Sequence, residues 1–157
     1  DDPDELIAAI GQTTAKAKVR AGGVTADAFP TTAQMVRFIA RCQQHDVAFK
    51  ATAGLHHPWR GDYPLTYASD SPRGTMFGFL NVLLASAALG AGWHKDQAAA
   101  LLEERAGTAV SFSVEGVSWR GRELSMDSIM RARDRLTAIG SCSFRDPISG
   151  LQAGTLL

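Results

Sequence analysis

Lysine is scarce in this chain. Four lysines stand against twelve arginines in 157 residues, and 16 basic side chains balance 16 acidic ones, so the net charge is zero. That balance gives no basic surface of the kind that holds nucleic acid or an anionic membrane. Cysteine is scarcer still. Cys42 and Cys142 sit in apolar patterns without the spacing of a metal or redox motif, and read as structural thiols of a reducing cytoplasm. Residues 74–94 lack Lys, Arg, Asp and Glu altogether, which is long enough to raise the question of a membrane span. Gly78, Asn81, Ser86, Gly90 and Gly92 interrupt that run, so the expectation is a buried helix over 76–89. The opening DDPDELIAAI has neither an initiator Met nor a signal pattern, and is expected to belong to the C-terminal part of a longer protein. Nothing in the chain has the spacing of a cofactor motif.

The length fits a single α/β domain over 1–157 that needs no disulfide or metal staple. Hydrophobic periodicity gives its elements. AKAKVRAGG alternates: Ala15, Ala17, Val19 and Ala21 share one face, and Lys16, Lys18 and Arg20 the other. Thr31 and Gln34 form a capping-box pattern ahead of a helical stripe of Met35, Phe38, Ile39 and Cys42. VAFKATAG alternates again, with Lys50 and Thr52 opposite Val47, Phe49 and Ala51. Strand, helix, strand in some 40 residues is a βαβ unit, whose two strands run parallel. Residues 55–74 read as one long loop. Further strands are expected at 109–115 and 141–145, in the same sheet as 15–21 and 47–53, with a helix from Ser125 to Gly140 between them. Each strand is apolar on one face and polar or small on the other. That is the pattern of a barrel wall, whose inner side turns polar near the mouth. The expected fold is therefore a partial (half) TIM-barrel-like βα repeat with parallel strands. A homodimer or an N-terminal partner domain would complete it.

Strand parity puts Lys18, Arg20, Lys50 and Thr52 on one side of that sheet, away from the helix. Crowded cations lower an amine's pKa, which suits Schiff-base chemistry, and the same cluster suits a carboxylate or phosphate. Glu115, on the polar side of its expected strand, would shuttle protons or act as counter-ion. His56 and His57 are adjacent and so point apart; either one is a candidate acid or base. Gly22 and Gly23 are candidate backbone donors to an anion. No HxH or HxxxH spacing supports a metal site. A structural Lys50–Glu115 ion pair fits the same residues.

FKATAG resembles the strand that carries the Schiff-base lysine in deoxyribose-phosphate-type class I aldolases, which follow a K-[ST]-[ST]-T-G pattern. KVRAGG is similar to their second lysine strand, of the K-x-S-G-G kind. The resemblance covers about a dozen residues and implies a (β/α) barrel, with Lys50 as Schiff-base lysine and Lys18 as its helper. GLHHP and GSCSF resemble segments of bacterial proteins of unassigned function, and imply no activity. Two functions follow as expectations. One is a cytoplasmic lyase- or aldolase-like enzyme that needs no cofactor and acts on a small anionic or carbonyl ligand. The other is a noncatalytic anion-binding or barrel-completing domain.

Overall fold

A capping box starts the helix on which the parallel sheet is built. The computed structural model describes residues 2–154. After α1 (Asp4–Gly11) and β1 (Ala17–Arg20), the helix α2 (Thr32–Gln44) opens as the pattern predicts. The Thr31 hydroxyl accepts from the Gln34 backbone N–H, and the Gln34 side chain accepts from the Thr31 N–H at 2.8 Å. Met35, Phe38, Ile39 and Cys42 are all buried, and Phe38 meets Phe49 of β2 (Phe49–Thr52) edge to face at 5.4 Å. Strands β1 and β2 pair in parallel with Lys18 opposite Lys50 and Arg20 opposite Thr52. Ala17, Phe49 and Ala51 are buried, whereas Lys18, Arg20 and Lys50 are exposed. Parity alone sets these two faces.

The long loop expected over 55–74 contains a hairpin, β3 (Gly61–Pro64) and β4 (Arg73–Met76). GDYP and RGTM lack an apolar alternation, so only their pairing makes them strands. Thr75 donates to Asp62 across the hairpin at 2.5 Å, and Arg105 ties the same carboxylate from outside at 3.0 Å. The uncharged run forms α3 (Phe79–Gly90), with Val82, Leu84, Ala85 and Ala88 buried. No helix among the described residues is long and apolar enough to cross a membrane. The helix α4 (Lys95–Glu103) packs against α3.

Two sequence expectations need correction. Residues 109–115 do not join the parallel sheet. They supply β5 (Val110–Phe112) to a separate antiparallel meander with β6 (Gly116–Trp119) and β7 (Arg122–Ser125). The chain turns back at once, and Arg120 and Gly121 both take positive φ (+48° and +76°) in the second reversal. A strand a few residues away wins the pairing because a tight turn closes far less chain than a crossover does. The second correction concerns the last strand. Ser125 caps α5 (Met126–Arg135) as expected, but the helix stops before Gly140. LTAI then forms β8 (Leu136–Ile139), in place of a strand at 141–145. β8 pairs in parallel with β2, setting Ala138 beside Lys50, with a bulge at Thr137 whose hydroxyl donates to the Phe49 carbonyl at 3.2 Å. Residues 141–144 are a loop leading into α6 (Arg145–Ala153). The fold is mixed α/β with a three-stranded parallel sheet in the order β1-β2-β8.

Buried polar groups fasten the helices to the meander. Asn81, fully buried, donates to the Leu101 and Glu104 carbonyls at 2.7 and 2.9 Å and accepts from the Arg60 backbone N–H at 2.7 Å. Glu104 is only 6% exposed. Its carboxylate accepts from Trp119 Nε1 at 3.0 Å, Arg120 Nε at 2.8 Å and the backbone N–H groups of Arg105 and Ala106. Burial alone would raise its pKa. The bonds from Arg120, Trp119 and Ala106 outweigh burial and hold it down to about 2. A carboxylate with a depressed pKa stabilises the fold above its unfolded value, and that stability is lost as pH falls through the folded value. Glu104→Gln should therefore destabilise the protein at neutral pH by on the order of 3 kcal/mol. Its denaturation midpoint should also fall less steeply than wild type between about pH 5 and pH 2. Equal stability at neutral pH, or parallel acid limbs, would contradict this assignment.

Candidate functional site

The parallel sheet presents an open cationic face. Lys18 and Lys50 stand side by side across β1 and β2, and neither ammonium has a hydrogen bond or ion pair among the described residues. Arg20 and Thr52 form the next row toward the carboxyl ends of the strands. Arg20 Nε donates to the Gly22 carbonyl at 2.8 Å, and the Thr52 hydroxyl donates to the Val19 carbonyl at 3.1 Å. Lys18, Arg20, Lys50 and Thr52 thus share the face that parity assigns them. Glu115 lies elsewhere, exposed in the turn between β5 and β6, with no ion pair to Lys50. Its place on the separate meander follows from the corrected strand pairing.

The loops after β1, β2 and β8 converge at the carboxyl edge of this sheet. Gly22 and Gly54 pack so closely that a Cβ on Gly22 would lie 2.9 Å from the Gly54 Cα and 2.6 Å from the Phe29 ring. Gly54 has φ +73° and Ala53 before it φ +64°, the latter a left-handed conformation unusual for a residue with a side chain. These two residues turn the chain sharply at the end of β2. Gly140 then donates to the Ala51 carbonyl at 2.8 Å, and Leu55 donates back to the Gly140 carbonyl at 3.3 Å. The segments GLHHP and GSCSF, 82 or more residues apart in sequence, become neighbours. The N–H groups of Gly22 and Gly23 donate to no described residue.

Beside this junction lies a cavity of about 360 Å³ between GLHHP, the hairpin loop and the loop after β8. His56, His57, Tyr67, Cys142 and Asp146 give it its chemistry, and Pro64, Leu65 and Ala68 its apolar wall. His56 Nδ1 is 2.9 Å from the Ser141 hydroxyl and 3.9 Å from Asp146 Oδ2. Cys142 Sγ is 3.8 Å from His56 Nδ1 and 3.9 Å from Nε2. Tyr67 donates to Asp146 at 2.7 Å, with its oxygen 3.5 Å from Cys142 Sγ. The bond to Asp146 comes first among the effects that hold the Tyr67 phenol above its ordinary range. His57 stacks on Tyr63 at 3.5 Å, and burial chiefly, with the neighbouring His56, lowers its pKa. Among the described residues no three His, Cys, Asp or Glu side chains are placed to hold a metal ion.

Sequence reasoning named His56 and His57 but not their partners. The two thiols differ sharply: Cys42 is buried, with burial pushing its thiol up to about 12, whereas Cys142 is exposed at the cavity. Reading SCSF as a strand hid this, because it made Cys142 a sheet residue. Ser141 and Asp146 gave no local signal. The available clue was that GLHHP and GSCSF each begin with a glycine at the end of an alternating segment. No family model, curated protein or solved structure matches the chain.

The charges around His57 yield a prediction. Asp146 partly offsets the lowering of the His57 pKa. In NMR titrations the His57 ring should therefore titrate below the ordinary histidine value of about 6.5, and in Asp146→Asn it should titrate lower still. An upward shift in that variant, or ordinary titration in the wild type, would contradict the geometry.

Proposed function

We propose that this chain is a lyase- or aldolase-like enzyme domain acting on a small carbonyl or carboxylated metabolite, with or without a phosphate. One observation carries the reading: Lys18 and Lys50 lie side by side on an open sheet face, their amines unpaired among the described residues. Two adjacent cations with no carboxylate between them among the described residues offer an anion two charged donors at once. Their strands run toward the edge where three loops meet, which is where ligands sit in parallel α/β sheets. In this proposal β1, β2 and β8 are neighbouring wall strands of a partial barrel, and their lysine face is its interior.

The chemistry follows from the amine. Lys50 Nζ attacks the substrate carbonyl carbon, and loss of water leaves an iminium that withdraws electrons from the adjacent bond. Lys18 and Arg20, with the backbone N–H groups of Gly22 and Gly23, hold the carboxylate or phosphate. His56 and His57 follow Lys50 on the same chain segment and are the proton carriers of choice, since Glu115 belongs to the other sheet. A second reading, in which the domain binds an anion or completes a barrel without catalysis, is favoured by the exposure of Lys18, Arg20 and Lys50.

Trapping with borohydride separates the two. Incubation with pyruvate or dihydroxyacetone phosphate, followed by reduction, should leave a stable adduct on Lys50, found by peptide mass spectrometry. Lys50→Arg should lose the adduct and keep the fold. No adduct, together with phosphate binding retained in Lys50→Arg and lost in Lys50→Met, would establish the noncatalytic reading. Adducts spread evenly over the four lysines, with no phosphate binding, would overturn both.

A further inference from the structure

The cavity beside the lysine face holds an exposed thiol, Cys142, that the amine chemistry does not use, next to His56. We propose that Cys142 and His56 form a nucleophilic thiol–imidazole pair that accepts an acyl group with an apolar chain from an activated ester or thioester. The inference does not rest on Lys50.

The hydrogen bonds around His56 fix its tautomer. The Ser141 hydroxyl has one proton, and it is donated to the Ser143 carbonyl at 2.8 Å. Toward His56 Nδ1, 2.9 Å away, the Ser141 oxygen can therefore only accept. Nδ1 thus carries the ring proton, and Nε2 keeps its lone pair. That nitrogen lies 3.9 Å from Cys142 Sγ, with Nδ1 at 3.8 Å, so the thiol swings toward Nε2 before its proton moves. Asp146, 3.9 Å from Nδ1, supplies the negative charge that favours the ring when it becomes protonated. Tyr67 has committed its proton to Asp146, so it holds that carboxylate in place and offers the sulfur no competing donor.

The surroundings suit an acyl group. Cys142 is exposed to a cavity of about 360 Å³ whose wall includes Pro64, Leu65 and Ala68. The backbone N–H groups of Cys142 and Phe144 donate to no described residue, so donors for an oxyanion remain in the same loop. In the step, Nε2 takes the thiol proton and Sγ forms a bond to the acyl carbonyl carbon. The bond from that carbon to the leaving oxygen or sulfur breaks, and the proton passes from Nε2 to the leaving group. The products are a Cys142 thioester and a free alcohol or thiol.

The probe is p-nitrophenyl butyrate. Wild-type protein should release a burst of nitrophenolate equal to one site and gain one butyryl group on Cys142. Hydroxylamine should remove that group, as it does a thioester and not a lysine amide. Cys142→Ala should lose the burst, since the buried Cys42 cannot replace it. His56→Gln should slow acylation at neutral pH by on the order of a hundredfold, with an unchanged melting temperature and a deficit that shrinks as pH rises. A purely structural His56 would give no such pH dependence. The proposal is overturned if Cys142 acylates no faster than free glutathione, if the adducts are hydroxylamine-stable amides, or if His56→Gln reacts like wild type.

Discussion

The backbones of Gly22 and Gly54 touch at the carboxyl edge of the parallel sheet, and this contact organises everything placed there. A side chain at Gly22 would meet both Gly54 and the Phe29 ring. The contact draws the loop after β1 against the loop after β2. The left-handed turn at Ala53 and Gly54 then sends the chain sideways into GLHHP instead of onward from the strand. Gly140 bonds to the same turn from β8. Three strand ends are thereby gathered into one junction, with a cationic face below it and a histidine–cysteine cavity beside it.

A junction of short loops depends on rigid supports. The sheet rests on α2 through Phe38 and Phe49. Asn81 and Glu104 hold α3, the end of α4 and the meander with buried hydrogen bonds. Asn81 also accepts from the Arg60 backbone, just after GLHHP, so this buried polar cluster anchors the segment that carries the two histidines. The candidate chemistry and the polar core are in this way linked through a few residues of chain.

The parts of this fold that were legible in the sequence are those decided locally. The capping box of α2, its apolar stripe and the alternation of β1 and β2 each lie within a dozen residues, and together they place Lys18 and Lys50 correctly. Competition between pairings was not legible. Val110–Phe112 alternates like a barrel strand, yet it pairs with the nearer β6. LTAI continues the helical pattern of α5, yet it becomes a strand because β2 offers a free edge beside it. That second misreading moved Cys142 from a loop into a strand. The Cys142–His56 proximity therefore had no expression in the sequence beyond two glycine-led segments far apart.

We propose that one ligand site lies where these three loops meet. Its most direct test is an amide NMR titration of the protein with inorganic phosphate and, separately, with pyruvate. Shifts should group at Arg20 to Gly23, Thr52 to His57 and Gly140 to Cys142, with the meander of β5, β6 and β7 unmoved. Shifts centred on the meander, or scattered without a focus at the carboxyl edge, would contradict it.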